Sequence, residues 1–186
     1  MKGYMAKAAL LLAPGFEEIE AMCVVDTLRR AGVTVVLAGL HDGPVEAGHG
    51  VKVIPDCVID ELAAEDFDAV ILPGGYPGYV NLGADARVLA LVRLAFEAGK
   101  IVAAICGAPV ILGRLGIVKG KRATIFPGKE ADLTGAKPVR DPVVVDGTVV
   151  TSQGPGTALE FAITLAELLV GVQKTRELKQ ALVVNF

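Results

Sequence analysis

The chain has 186 residues, of which 53% are hydrophobic, and its formal net charge is −3. This length and a mean hydropathy of +0.55 predict one folded domain over residues 1–186 and exclude a disordered chain. An acidic balance without a basic cluster argues against nucleic acid as a partner. No apolar stretch reaches the ~18 residues that a membrane-spanning helix needs, so no membrane partner is expected.

The N-terminal segment has the outline of a secretion signal, because two lysines precede an apolar run at residues 8–13. The run is short, however, and Pro14 and Gly15 end it. We therefore interpret it as the first strand of a cytoplasmic protein.

Apolar runs and helical patterns alternate along the chain. Strands are predicted at residues 8–13, 33–38, 51–54, 69–72, 101–105, 123–125, 143–145 and 149–151. Helices are predicted at 16–31, 86–98, 107–115 and 157–170, with a last helical turn at 174–178. This alternation predicts an α/β fold with a doubly wound, mainly parallel sheet and helices on both faces. Ligands in such folds bind beyond the carboxyl ends of the strands.

Cys106 is the most informative residue, because it lies between a predicted strand and a predicted helix that begins at Gly107. A sharp corner of this kind exposes one side chain, as in a nucleophile elbow. A helix N-terminus also favours a thiolate. The alternative is a buried structural cysteine, since free cysteine is often buried. We favour the nucleophile.

Glu20 is the only charged residue on the apolar stripe of the first helix. A carboxyl group on a packing face needs a partner, and this helix starts at the same end of the sheet as Cys106. We expect a protonated Glu20 that donates a hydrogen bond to a Cys106 thiolate and shuttles protons to a substrate. The alternative places Glu20 at the edge of the stripe, where it reaches water or a backbone N–H.

Glycines follow two of the predicted strands near this site. The N–H groups of Gly74, Gly75 and Gly107 are expected to bind a developing oxyanion, unless the glycines serve only to reverse the chain. Residues 152–157, which include Pro155, are interpreted as a helix cap and pocket wall. Their glycine spacing does not match a dinucleotide or phosphate loop, and no cofactor is expected.

The few histidines and cysteines of the chain limit which metal sites, disulfides and histidine-assisted reactions are expected. The three cysteines show no paired spacing, so neither a disulfide framework nor a metal site is expected. His41 and His49 both lie in a glycine-rich stretch. We interpret His49 as a solvated loop histidine. The less favoured alternative is that it reaches a site from its loop or from a neighbouring subunit.

Five motifs make the chain resemble the DJ-1/PfpI superfamily, close to its DJ-1 and YajL (ThiJ) branch. They are residues 14–20 (PGFEEIE), 28–32 (LRRAG), 72–75 (LPGG), 103–109 (AAICGAP) and 151–157 (TSQGPGT). The resemblance implies a flavodoxin-like fold, a homodimer and a reactive cysteine, Cys106, that is hydrogen-bonded to a protonated Glu20. It also implies that Gly75 and Gly107 supply oxyanion-type amides and that Arg30 lies at the dimer-facing side of the pocket.

Three positions depart from that family pattern. Gly107 replaces the histidine that follows the cysteine in PfpI-type proteases. Phe126 stands where many DJ-1-like members have a histidine across the pocket, and Gln153 stands where DJ-1 proper often has arginine. The first departure removes a protease base, the second an acid/base group for dicarbonyl chemistry, and the third weakens an anion site.

Three functions compete on these residues. The first is a cofactor-free enzyme on small aldehydes or dicarbonyls, of the glyoxalase III or deglycase type, with Cys106 as nucleophile and Glu20 as proton shuttle. The second is a redox-sensing, stress-protective protein that acts through oxidation of Cys106. The third, a cysteine peptidase, ranks last for want of a histidine base.

Overall fold

The computed structural model describes residues 5–186. Its strands are β1 (Lys7–Leu12), β2 (Thr34–Gly39), β3 (Val45–Glu46), β4 (Lys52–Val53), β5 (Cys57–Val58), β6 (Ala69–Leu72), β7 (Ile101–Ile105), β8 (Arg122–Ala123), β9 (Lys137–Pro138), β10 (Val143–Asp146) and β11 (Val149–Ser152). Its α-helices are α1 (Glu18–Arg30), α2 (Gly78–Ala84), α3 (Ala86–Glu97), α4 (Pro109–Arg114), α5 (Ala158–Val170) and α6 (Val172–Ala181).

Seven of these strands form one sheet in the order β10-β11-β7-β6-β1-β2-β5. Only β10 and β11 pair antiparallel in it, around a hairpin turn at Gly147, whose φ is +64°. All other neighbours pair parallel. The small pairs β3–β4 and β8–β9 lie outside this sheet. The predicted α/β, flavodoxin-like, doubly wound fold is therefore confirmed.

Successive residues of β1 point into two separate hydrophobic cores, because side chains alternate along a strand. Leu10 and Leu12 pack with α1 and α5 on one face of the sheet. Leu11 packs with α3 and α4 on the other face. Both faces of the sheet are thus covered by helices, and the edge at the carboxyl ends of the parallel strands is left for a site.

Several predicted boundaries differ from the structure. The first helix begins at Glu18 rather than residue 16, and the strand predicted at 123–125 is only Arg122–Ala123. The final helical turn extends into the ten-residue helix α6. Helix α2 was not predicted, because its two glycines and its asparagine are poor helix formers.

Candidate active site

Three segments meet at the carboxyl edge of the sheet, where β1, β6 and β7 end. Backbone hydrogen bonds connect two of them directly: Glu17 N–H donates to the Gly74 carbonyl at 3.1 Å, and Gly78 N–H donates to the Gly15 carbonyl at 3.2 Å. The third segment contributes Cys106, directly after β7. The parallel topology therefore brings the first helix, the glycine loop and the cysteine corner together.

Cys106 adopts φ = +63°, a left-handed conformation that is unusual for a residue with a side chain. Its N–H donates to the Ser152 carbonyl at 3.0 Å, and its carbonyl accepts from Phe126 N–H at 2.9 Å. Both backbone groups of the strained residue are thus satisfied by neighbouring segments. This is the geometry of a nucleophile elbow, and its half-buried thiol is reachable from one side.

Glu20 is fully buried beside Cys106. Its Oε2 accepts a hydrogen bond from Gly74 N–H at 2.7 Å. Its Oε1 has no hydrogen-bond partner of good geometry among the described residues. Besides Gly74, the Cys106 side chain is the neighbour whose hydrogen bonding affects the pKa of the carboxyl. Of the alternative interpretation, contact with water is wrong, because Glu20 is fully buried, whereas the bond to a backbone N–H is confirmed at Gly74.

Burial raises the pKa of the Glu20 carboxyl to about 7, although the hydrogen bond from Gly74 acts in the opposite direction. Burial, and then the negative charge of Glu20, raise the pKa of the Cys106 thiol to about 12, against the N–H groups of Gly75 and Gly107. Glu20 thus raises the pKa of Cys106, whereas the hydrogen bond with the Cys106 side chain lowers the pKa of Glu20. Once the pH rises above about 7, the pair carries one proton and one negative charge. These pKa values place that proton on sulfur while Glu20 is charged, whereas the sequence led us to expect it on Glu20.

The N–H groups of Gly74, Gly75 and Gly107 do not all face the same group, contrary to the expectation from the sequence. Gly75 and Gly107 direct their N–H groups to the Cys106 sulfur. Gly74 does not contribute to an oxyanion site, because its N–H is used by Glu20. A Cβ at Gly74 would lie 2.5 Å from Cys106 Cβ, and one at Gly107 would lie 2.6 Å from the Tyr79 ring. Close packing therefore requires glycine at both positions.

A cavity of about 370 Å³ opens over the sulfur. Its lining residues are Gly75, Tyr76, Tyr79, Cys106, Gly107, Phe126 and Lys129. Tyr76, Tyr79 and Lys129 were not among the predicted site residues. Tyr79 lies on the unpredicted helix α2, and the Pro-Gly pair before Lys129 was a turn signal that could have placed it beside Phe126.

The remaining predicted residues lie around this cavity or away from it. Gly154 packs behind the Phe126 ring, where an added Cβ would lie 3.6 Å from it. Pro155 starts a short 3-10 helix and is not part of the cavity lining. Arg30 lies at the far end of α1 and pairs with Asp26 at 2.7 Å. Within one chain the structure does not bring Arg30 to Cys106, so its place beside a partner's pocket stays a prediction.

His49 is engaged outside the cavity, as expected for a loop histidine. Its Nδ1 lies 3.0 Å from Glu18 Oε2 and 3.6 Å from Glu17 Oε2. The Glu18 hydrogen bond raises the pKa of the exposed imidazole. The ligand atoms of these three residues lie within 4.8 Å of one another, an arrangement that the ion pairs explain. The absence of a metal site stays a prediction.

Comparison with known proteins assigns the class of protein. The family model described as the DJ-1/PfpI family matches residues 6–168, and the chain belongs to this family, in its DJ-1-like branch. Protein dj-1beta of Drosophila melanogaster is 41% identical over 186 residues, which cover 98% of this chain and all of the relative. The crystal structure of Drosophila melanogaster DJ-1beta superposes with a TM-score of 0.94 at 40% identity, covering 98% of this chain and 100% of that one.

Two further relatives bear on chemistry. The Caenorhabditis elegans protein named glutathione-independent glyoxalase DJR-1.2 is 36% identical and is matched over 95% of this chain and 96% of its own length. The structure of oxidized Toxoplasma gondii DJ-1 superposes with a TM-score of 0.93 at 32% identity, covering 97% of this chain and 100% of that one. Within residues 5–186, no helix combines the length and the apolar character needed to cross a membrane.

Proposed function

We propose that this protein is a cofactor-free enzyme that converts small reactive dicarbonyls to hydroxy acids, as in glyoxalase III chemistry. The observation that carries the proposal is the buried Glu20 carboxyl next to Cys106, with a pKa of about 7. A proton donor and acceptor titrates there at neutral pH, in contact with a nucleophile. The glyoxalase name of the Caenorhabditis elegans relative supports the same class of substrate.

The chemistry on methylglyoxal needs one water molecule and no external oxidant. The Cys106 sulfur forms a bond to the aldehyde carbon, and the carbonyl oxygen takes up a proton to give a hemithioacetal. Glu20 removes the hydrogen on that carbon as a proton and returns a proton to the neighbouring carbon, while the hydroxyl proton on the first carbon passes to the oxygen of the second. The first carbon is thereby oxidised to a thioester and the second is reduced to an alcohol. Water then cleaves the thioester and releases lactate. Gly75 and Gly107 N–H groups stabilise negative charge at the sulfur and at the adjacent oxygen.

The test is lactate formation from methylglyoxal without any added cofactor. Wild type is expected to form lactate and Cys106→Ser to form none, because the hydroxyl is a far weaker nucleophile. Cys23→Ser is the matched control and is expected to keep wild-type activity, since Cys23 lies on α1 outside the cavity. An active Cys106→Ser variant, or a wild type that forms a hydroxy acid from no dicarbonyl offered to it, would refute the enzyme proposal.

A redox sensor is the second candidate, and one arrangement favours it. The half-buried Cys106 sulfur faces two backbone N–H groups and the Glu20 carboxyl, which can hydrogen-bond to the oxygens of a sulfinate. A relative of the same fold is described in an oxidized state. Selective oxidation of Cys106 over Cys23 and Cys57 by dilute peroxide, with no lactate formed, is the result this candidate requires.

A cysteine peptidase remains the weakest candidate, because neither His41 nor His49 lines the cavity.

We also propose a cytoplasmic homodimer. Ile19, Val51 and Ile54 are large apolar side chains that stay exposed in the single chain, and contact with a second copy would remove them from water. Sedimentation analysis checks this, and a monomer at micromolar concentration would contradict it.

A further inference from the structure

Aromatic rings are the largest side chains that line the cavity over Cys106. Tyr76, Tyr79 and Phe126 are three of its seven lining residues. The rings of Tyr76 and Tyr79 are tilted by 58°, with centroids 6.4 Å apart. Flat apolar surfaces of this kind bind an apolar or aromatic body better than a small, strongly hydrated one.

Lys129 is the one charged residue among the seven that line this cavity in the described part of the chain. Its Nζ lies 5.8 Å from the centroid of the Tyr79 ring. The nearest carboxylate, on Asp132, is 4.0 Å away, at the outer limit of an ion pair. Glu130, next in sequence, accepts a hydrogen bond from Gly128 N–H at 3.0 Å instead. The Lys129 charge is therefore available to a ligand.

A tight turn fixes Lys129 relative to the nucleophile. Pro127 and Gly128 occupy its central positions, with a φ of +92° at Gly128, and Lys129 N–H donates to the Phe126 carbonyl at 3.0 Å. This is the pattern of a type II turn, in which the first and fourth residues lie side by side. Phe126 N–H in turn donates to the Cys106 carbonyl at 2.9 Å. The turn is thus tied to the elbow itself.

We propose that the Cys106 cavity selects carbonyl compounds that join an apolar or aromatic body to an anionic group, and that Lys129 recognises the anion. This inference rests on the proposed function, because it names the substrate class of the same site. The reacting carbonyl lies at the Cys106 sulfur, the body contacts Tyr79 and Phe126, and the anion lies at Lys129. Lys129 is then a specificity residue, and the chemical step remains with Cys106 and Glu20.

The first experiment compares phenylglyoxal with 4-carboxyphenylglyoxal, which differ by one carboxylate. Wild type is expected to prefer the carboxylate in kcat/KM by about three- to fivefold at low ionic strength, as for a partly exposed charge pair. The preference is expected to shrink in about 0.5 M salt. Lys129→Met removes it, Lys129→Arg keeps it, and Lys174→Met, away from the cavity, is the matched control.

A second experiment does not depend on turnover. Benzoate and its neutral isostere benzamide are compared as protectants of Cys106 against iodoacetamide, with labelling of each cysteine followed by mass spectrometry. Benzoate is expected to protect about threefold better in wild type and equally well in Lys129→Met. Equal protection in wild type, or a benzoate advantage that survives in Lys129→Met, overturns the inference. Absence of hydroxy acid from every dicarbonyl refutes the proposed function instead, and the protection result still decides the role of Lys129.

Discussion

The inner and outer walls of the cavity differ in how tightly their residues are packed. The inner wall comprises Gly75, Cys106 and Gly107, with the buried Glu20 and Gly74 directly behind it, and the outer wall comprises Tyr76, Tyr79, Phe126 and Lys129. At the inner wall the carboxyl group is fully buried and the glycines touch their neighbours. On the outer wall Tyr76 is 78% exposed and Phe126 44% exposed. The inner wall admits almost no substitution and can therefore hold the reacting groups in place. The exposed residues of the outer wall can be replaced with little loss of packing, so they can differ to suit different substrates.

The largest effect is expected for Gly75→Ala. Gly75 has φ = +84°, and an added Cβ would collide with the backbone of residues 15–17, including Phe16 C at 2.6 Å. Backbone atoms cannot move aside as side chains do, so overpacking and an unfavourable φ add together. We expect the free energy of unfolding to fall by about 3 kcal/mol or more, measured by urea denaturation at fixed protein concentration.

Gly128→Ala is the matched control, in the turn that carries Phe126 and Lys129 of the outer wall. Its φ is +92°, yet an added Cβ would meet no atom within 4 Å. Only the backbone conformation then costs free energy, about 1–2 kcal/mol. If the two variants lost equal stability, crowding would not distinguish the inner wall from the outer one.

The second prediction concerns Glu20→Gln, which keeps the shape of the side chain and removes its titration. Activity on methylglyoxal is expected to fall about 100-fold or more in kcat/KM, because the proton carrier is lost. In wild type, kcat/KM is expected to rise with pH through about 7, where the Cys106–Glu20 pair first ionises. Glu18→Gln, two residues earlier and paired with His49 outside the cavity, is expected to leave both rate and profile unchanged.

Stability gives an independent readout of the same carboxyl group. The folded-state pKa of about 7 lies above the usual glutamate value of 4.5, so the folded protein prefers the protonated form. This stabilisation is complete below pH 4.5 and is lost as the pH rises through 7. Between pH 5 and 8 the free energy of unfolding of wild type should fall by about 2–3 kcal/mol more than that of Glu20→Gln. Parallel curves for the two proteins would contradict a raised pKa at Glu20.

Much of the inner wall was predictable because local sequence encodes it. The apolar run before Cys106, the small residues after it and the lone carboxyl group on the α1 stripe are all visible in the sequence. What the sequence could not give is which donor serves which acceptor. Gly74 and Gly75 are adjacent and chemically identical, and only the backbone direction sends the first N–H to Glu20 and the second to Cys106.

The outer wall escaped prediction for another reason. Tyr79 lies on a short helix whose glycine-rich sequence gives no helical signal. Lys129 reaches the cavity because a long-range hydrogen bond, from Phe126 N–H to the Cys106 carbonyl, ties its turn to the elbow about 20 residues away in sequence. Exposed residues of this kind carry no hydrophobic pattern, and only the tertiary fold places them at the site.

Phe126→His is the smallest of the three changes and tests whether the outer wall can tune the chemistry of the inner one. Phe126 is 44% exposed and its ring rests loosely on Gly154, so little stability should be lost. An imidazole at this place, near Cys106, can act as an acid or a base. We expect kcat/KM for methylglyoxal to rise about tenfold, with an added pH dependence near 6.5. Phe126→Leu, which opens the cavity without adding an acid or base, is the control. An equal gain in Phe126→Leu would mean that access to Cys106, and not proton transfer, is what the Phe126 ring restricts.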